Sequence, residues 1–236
     1  MKAEGKIKYF GGKTEYLHRG YFDGVDLALM IHTSTSFAIT GGSVGCISKK
    51  IIYKGVAAHA GGSPWEGKNP LYAATCGINA VNAIRETFAE PDIIRVHPII
   101  TSGGDMVNAI PETVILESYV RGSSFDAITK ANYKVNRALT GAALSLGTNI
   151  EIIDSPGYGP LRNAEGMMML AADAAKWQLG MLYLLLKDDA ALAEKITSEY
   201  DAPFKSKKEY LAFIDSLNCD GNRIDNRENG TVSVRC

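Results

Sequence analysis

This chain of 236 residues has little of several features that mark particular classes of protein. Its formal net charge is -1, so it lacks the basic excess that nucleic-acid-binding proteins use to hold phosphates. No apolar run approaches the roughly 18 residues that a membrane-spanning helix needs, and the first residues lack the apolar core of a signal peptide. We therefore expect neither a nucleic-acid partner nor a membrane.

Cysteine is also scarce, and the common catalytic motifs are absent. The four cysteines, Cys46, Cys76, Cys219 and Cys236, are far apart and form no C-x-x-C pair, so we interpret them as reduced thiols in a cytoplasmic protein. The sequence has no P-loop, no G-x-G-x-x-G after a strand, no G-x-S-x-G elbow and no H-E-x-x-H. These absences exclude the usual nucleotide-binding, serine-hydrolase and zincin signatures.

The hydrophobic pattern is clearest between residues 49 and 156, where it predicts six elements in the order β-α-β-β-α-β. Asn69 and Pro70 are a typical helix start, Ser123 or Ser124 can cap the second helix, and Gly147 ends it. The predicted strands span 49–58, 93–101, 112–121 and 149–154, and the helices 70–88 and 124–146. This order predicts an α/β (α+β) fold of the ferredoxin-like type, a four-stranded antiparallel sheet with both helices on one face.

The flanking segments carry weaker patterns. We predict a short strand over 25–31, a helix over 167–175 that Asn163 could cap, and an apolar helix over 179–200. A capping box at Ser206 and Glu209 opens a further helix over 207–217. The last segment, 223–234, is typical of a hairpin that turns at Asn229 and Gly230.

Three polar side chains stand at the edges of predicted elements. His59 ends the first strand before a Gly-Gly-Ser-Pro turn, Asn108 lies in the loop 103–111, and Arg121 ends the third strand. A histidine and an amide can donate hydrogen bonds to a developing oxyanion, and an arginine fork suits a carboxylate. Taken singly, each also fits a bland interpretation, because turn-forming Asn and surface His and Arg are common. The residues alone leave both interpretations open.

The other histidines carry less. His32 follows the run Leu-Ala-Leu-Met-Ile and could ligate a metal, although a structural histidine fits that position at least as well. His97 lies within a predicted strand before Pro98, which favours a structural role, and His18 lies in a polar segment typical of the surface.

Four stretches, 22–32, 55–64, 99–112 and 117–121, give the segment from about residue 23 to 163 a family resemblance. It resembles the metal-dependent aminoacylase and carboxypeptidase family, which includes N-acyl amino-acid amidohydrolases and aminobenzoyl-glutamate hydrolases. The resemblance implies that 49–156 is an inserted lid and dimerisation domain. Residues 1–48 would then be a remnant of the catalytic domain, and 157–236 a helical C-terminal segment with a small hairpin.

The resemblance also implies roles for the polar residues. His59 matches a histidine that reaches into the partner subunit's active site and polarises the scissile carbonyl, and Asn108 matches a residue of the same region. Arg121 matches an arginine that holds a substrate carboxylate, and His32 matches a metal ligand. In that family a water held between two divalent metals, usually zinc, hydrolyses an amide with a Glu as general base.

The departures from the family pattern concern the metal ligands. The family's other ligands and its Glu-Glu pair have no counterpart here, and no histidine follows His97. A zinc or manganese site is therefore not expected to assemble in this chain alone. We predict a fragment of a metal-dependent amidohydrolase that acts on N-acyl amino acids or peptide-like amides, inactive alone and homodimeric through its lid. The alternatives are a non-catalytic dimerisation or regulatory module and one half of a split hydrolase.

Overall fold

The computed structural model describes residues 7–9, 11–28, 30, 38–173, 178–226 and 232–235. Within these ranges no helix has both the length and the apolar character needed to cross a bilayer. The chain divides into two compact units. The first comprises Met1–Glu15, Val44–Pro160 and Ala212–Cys236, and it contains the whole predicted lid segment 49–156. The second comprises Tyr16–Ser43 and Leu161–Leu211.

Strands and helices alternate along the chain, and short 3₁₀ turns connect some of them. In chain order they are α1 (Gly12–His18), β1 (Gly42–Ser43), β2 (Gly45–Lys54), β3 (Ala58–His59), α2 (Pro70–Ala83), β4 (Arg95–Val96), β5 (Ile99–Ser102), β6 (Ala109–Ile110), β7 (Thr113–Gly122), α3 (Phe125–Ser145), β8 (Asn149–Tyr158), β9 (Leu161–Arg162), α4 (Glu165–Asp173), α5 (Gln178–Leu186), α6 (Ala191–Glu199), α7 (Lys207–Ser216), β10 (Cys219–Asn226) and β11 (Val232–Arg235).

The main sheet of the first unit is antiparallel and has the strand order β11-β10-β8-β2-β7-β4, with β5 also paired to β7. The first and third strands of the predicted β-α-β-β-α-β unit, β2 and β7, therefore lie at its centre. The fourth strand, β8, and the second, β4 with β5, flank them. This arrangement confirms the predicted ferredoxin-like fold.

One core joins the sheet to both helices. Along β7, Val114, Leu116 and Val120 are fully buried, while Glu117 and Tyr119 on the opposite face are exposed. This alternation is the one that the sequence predicts for a half-buried strand. The core cluster also holds side chains of β2, β8, α2 and α3, among them Ile51, Tyr53, Ile152, Val81, Val135 and Leu139. Both helices therefore pack on one face of the sheet.

The predicted helix caps are confirmed. Asn69 Oδ1 accepts hydrogen bonds from the backbone amides of Leu71, at 2.9 Å, and Tyr72, at 3.4 Å, and Pro70 occupies the first helical position. Ser124 Oγ accepts from Ala127 N at 3.1 Å, which decides between the two serine candidates for α3.

Several predicted boundaries are wrong. The first strand, predicted over 49–58, is β2, Gly45–Lys54, and α2 ends at Ala83 rather than near 88 because a 3₁₀ turn follows at Arg85–Thr87. The strand predicted over 93–101 is two strands, β4 and β5, separated by His97 and Pro98. Pro98 has no N–H to donate to the ladder, so the pairing with β7 is interrupted there.

The tail begins as predicted and then joins the sheet. Glu209 N donates to Ser206 Oγ at 3.1 Å, which confirms the cap of α7, and the Glu209 carboxylate accepts from Lys205 N at 2.9 Å. The hairpin of β10 and β11 is also confirmed, while its predicted turn at Asn229 and Gly230 lies outside the described residues. The sequence did not predict that β10 pairs with β8, from Cys219 opposite Asp154 to Ile224 opposite Ile150.

The second unit is smaller. Its cluster of buried apolar residues centres on Leu185 of α5 and Ile196 of α6. The single helix predicted over 179–200 is wrong, because α5 and α6 are separated at Asp188–Ala190, where the φ angles of three consecutive residues are +54°, +53° and +63°. The strand predicted over 25–31 is not formed by residues 25–28 and 30, and the remaining two residues lie outside the described ranges.

Candidate functional site

A two-stranded ribbon continues the β2–β7 ladder beyond the edge of the sheet. The ladder pairs Lys54 with Thr113, after which Gly55 N donates to Glu112 O at 2.8 Å, and β3 then pairs with β6. A Cβ atom at Gly55 would collide with the carbonyl oxygen of Lys68 and lie 2.6 Å from Pro70 Cδ, so the close approach of the chain here requires glycine. The sheet thereby presents the tip of a ribbon on a packed base.

His59 lies at this tip, paired with Ala109 and exposed. Its Nδ1 accepts hydrogen bonds from the amides of Gly62, at 2.8 Å, and Gly61, at 3.2 Å, and its carbonyl oxygen accepts from Ser63 N at 3.1 Å. The turn after β3 therefore curls back onto the imidazole, and Nε2, on the other side of the ring, is left for a ligand. Sequence reasoning found His59 but missed the two amides, whose signal is the Gly-Gly pair two and three residues later.

Asn108 lies beside His59 at the same tip. Its carbonyl oxygen accepts a hydrogen bond from Ala60 N at 2.9 Å, which ties its loop to the histidine turn. Asn108 is exposed, as are its neighbours Met106 and Val107, at 67% and 103% relative exposure. The structure thus brings together two of the three predicted clamp residues, and both face solvent.

Arg121 lies at the opposite end of the ladder. It pairs with Cys46 of β2 and with Arg95 of β4, it is half-buried, and its guanidinium carbon lies 5.3 Å from the centre of the Tyr119 ring. From Cys46 to Lys54 the strand rises roughly 27 Å at about 3.4 Å per residue. Within one subunit Arg121 is therefore far from His59 and Asn108.

Aromatic and thiol groups surround the Arg121 end of the sheet. Burial raises the pKa of the Cys46 thiol, so at neutral pH it is protonated and a poor nucleophile. Burial also raises the pKa of Tyr158, and Lys13 Nζ lies 5.6 Å from the centre of that ring. The neighbourhood of Arg121 offers positive charge and aromatic surface rather than a nucleophile.

The described residues do not fit a metal centre. No group of three or more His, Cys, Asp or Glu side chains that could hold a metal ion is found in the part of the chain that the structure describes. His32, the predicted metal ligand, lies outside the described residues. His97 is exposed between β4 and β5, and His18 is exposed at the end of α1. We therefore derive no chemical step through a metal.

Comparison with known proteins places this geometry in a family context. Residues 41–145 match a family model described as a peptidase dimerisation domain. Over 142 residues the chain is 32% identical to the Xaa-Arg dipeptidase of Mus musculus, covering 60% of this chain and 32% of that protein. Over 181 residues it is 30% identical to one of the two subunits of the p-aminobenzoyl-glutamate hydrolase of Escherichia coli (strain K12), covering 71% of this chain and 37% of that one.

A solved structure supports the fold. A crystal structure described as that of an aminohydrolase from methicillin-resistant Staphylococcus aureus superposes with a TM-score of 0.58 at 21% identity, covering 70% of this chain and 46% of that one. The chain spans about a third of the length of the curated relatives that it matches, 32% and 37% for the two above.

Proposed function

Because this chain carries the peptidase dimerisation domain of the metal-dependent aminoacylases and carboxypeptidases, we propose that it is the lid of an amidohydrolase that cleaves N-acyl amino acids or peptide-like amides. His59 and Asn108 contact the scissile carbonyl group, and Arg121 holds the substrate's carboxylate. The names of the two relatives support this substrate class, since one is a dipeptidase and the other hydrolyses an aminobenzoyl-glutamate.

The placement of His59 and Asn108 carries the proposal. Both side chains are exposed at the tip of a ribbon whose base is fixed by the packed sheet, and one hydrogen bond of 2.9 Å joins their two loops. An imidazole N–H and a carboxamide N–H are donors that stabilise negative charge developing on a carbonyl oxygen. A rigid base with a projecting polar tip suits a lid that delivers these donors to a substrate held elsewhere.

The position of Arg121 calls for two subunits. A dipeptide spans at most about 7 Å when extended, whereas roughly 27 Å of strand separates Arg121 from the base of the ribbon. One subunit cannot place both ends of its lid on one such substrate. We therefore propose that His59 and Asn108 of one subunit and Arg121 of a second serve the same substrate.

The edge strand β5 and the start of α2 form the proposed dimer surface. Ile99 and Ile100 are 48% and 40% exposed on β5, and Tyr72 is 65% exposed on α2. Leu71 joins the two elements, since a Cβ at Gly103 would lie 3.2 Å from Ile100 and 3.6 Å from Leu71. Pairing of β5 with a second copy would satisfy its outer backbone groups and cover these apolar side chains.

The metal of the parent reaction, zinc or manganese, has to be held by residues other than those that the structure describes. We propose that a polypeptide of these 236 residues does not hydrolyse amides by itself, and that its lid acts on a metal site to which other polypeptide contributes. A split hydrolase and a regulatory module that pairs with a complete enzyme differ in whether a neighbouring polypeptide supplies that site.

Activity assays separate these cases. The purified chain, with zinc or manganese and a panel of N-acyl amino acids, dipeptides and aminobenzoyl-glutamate, should give no turnover above the protein-free rate. If co-expression with polypeptides encoded on either side yields turnover, His59→Ala should lower kcat by about 10²- to 10³-fold, and His18→Ala should leave it unchanged. Turnover by the chain alone, or a complex indifferent to His59→Ala, would contradict the proposal.

A further inference from the structure

We propose that the turn after β3 fixes His59 in the neutral tautomer that carries its proton on Nε2, with Gly62 as the positioning residue. The use of that proton on a substrate carbonyl rests on the function proposed above. The tautomer itself does not, because it follows from hydrogen bonds within the chain.

Two backbone donors converge on one ring nitrogen. The amide of Gly62 lies 2.8 Å from His59 Nδ1, and the amide of Gly61 lies 3.2 Å from the same atom. An amide N–H is a donor only, so Nδ1 must offer its lone pair to both. A proton on Nδ1 would point at two other N–H groups. The turn therefore accepts the tautomer with a bare Nδ1 and a protonated Nε2.

The choice of tautomer decides what the exposed side of the ring can do. With its proton on Nε2, the imidazole donates a hydrogen bond and attracts a carbonyl oxygen. With its proton on Nδ1, it would direct a lone pair at that oxygen and repel it. The two amides thus set His59 as a donor before any ligand arrives, which reduces the reorganisation that binding requires.

The space around the turn separates the two glycines. A Cβ at Gly62 would lie 3.2 Å from His59 Nδ1 and 3.6 Å from Cγ, so the ring would have to move by a few tenths of an ångström. A Cβ at Gly61 would lie 3.6 Å from Cε1 and 3.8 Å from Nδ1, which is ordinary van der Waals contact. Gly62→Ala and Gly61→Ala are therefore a matched pair, since both keep the amide but only the first displaces the imidazole.

Nuclear magnetic resonance of the whole chain, ¹⁵N-labelled, reads the tautomer directly. At about pH 8.5, some two units above the ordinary histidine pKa of about 6.5, each ring nitrogen reports whether it carries a proton. We expect His59 Nδ1 to be unprotonated and Nε2 protonated throughout the folded population. The same histidine in the urea-unfolded chain gives the unconstrained mixture of tautomers. A scalar coupling across the Gly62 N–H···Nδ1 hydrogen bond should also be measurable.

The variants make the inference refutable. Gly62→Ala should weaken or abolish that coupling and shift the His59 tautomers towards the unfolded mixture, whereas Gly61→Ala should keep the wild-type pattern. Gly141→Ala, at an exposed helix position with open space around it, controls for general effects of the substitution. A folded His59 with the same mixture as the unfolded chain, or with its proton on Nδ1, would overturn the proposal. Neither readout requires activity, so this result stands apart from the hydrolase assays.

Discussion

Replacing Lys49 by Met should destabilise the first unit by about 3–5 kcal/mol, because it removes one partner of a buried ion pair. The side chains of Lys49 and Asp154 are both 0% exposed and in direct contact. Lys49 Nζ also donates to Asn132 Oδ1 at 2.8 Å. Asp154 Oδ2 accepts from Asn132 Nδ2 at 2.7 Å and from Asn136 Nδ2 at 3.1 Å. The group joins β2, β8 and α3 beneath the helices.

The magnitude follows from what each variant leaves behind. In Lys49→Met the Asp154 carboxylate keeps two amide donors but loses the ammonium group in contact with it, and a loss of 3–5 kcal/mol is a large part of a typical stability of about 5–15 kcal/mol. In Lys49→Met/Asp154→Leu neither charge of the pair remains buried. The two asparagines then lose partners at about 1–3 kcal/mol each, so the double variant should recover about 2 kcal/mol relative to the sum of the single changes.

Urea denaturation, followed through amide resonances of β2 and β8, gives the free energy of unfolding of this unit. The matched control is Lys54→Met on the same strand, since the ion pair of Lys54 with Glu151 is exposed on the lysine side and should contribute less than about 1 kcal/mol. If Lys49→Met alone does not fold, the double variant still should. A cost below about 1 kcal/mol for Lys49→Met, or no recovery in the double variant, would refute this reasoning.

Three further predictions concern the fold. Tyr53 OH donates to Leu139 O at 2.9 Å and burial raises the pKa of Tyr53, so Tyr53→Phe should cost about 1 kcal/mol at neutral pH. The unfolded chain releases this proton first above about pH 10, so wild-type stability should fall there with rising pH and the variant's should fall less steeply. Asn69→Ala should lower stability by about 1 kcal/mol through loss of the α2 cap, measured by urea titration. Deleting β10 and β11 uncovers the edge of β8, and light scattering should then show self-association beyond that of the full chain; unchanged scattering would contradict this.

Local signals were sufficient to predict most of the lid's elements. Asn69 and Pro70 identified a helix start because side-chain capping and a fixed φ act within one turn of chain. The alternation along β7 identified its buried face because strand periodicity depends on one packed side. The element ends were less predictable, as in the division of 93–101 around Pro98, because tertiary pairing with β7 decides where a strand is recognised.

The site depended on pairings that are distant in sequence. The neighbourhood of His59 and Asn108 follows from the pairing of β3 with β6, and nothing local to either residue specifies it. The separation of Arg121 from both follows from the antiparallel direction of β2 and β7, which a set of three polar residues does not reveal. Burial of Lys49 was likewise hidden, because its partner Asp154 lies 105 residues later.

Sedimentation equilibrium of the full chain tests the central claim most directly, namely that this is a lid that pairs with a second subunit through β5 and α2. We predict a dimer at twice the 25.4 kDa chain mass. Ile100→Asp on β5 should convert it to a monomer, and Tyr133→Glu, at a site 67% exposed on α3, should leave it a dimer. A wild-type chain that remains monomeric at high concentration, or a dimer that survives Ile100→Asp, would contradict the account.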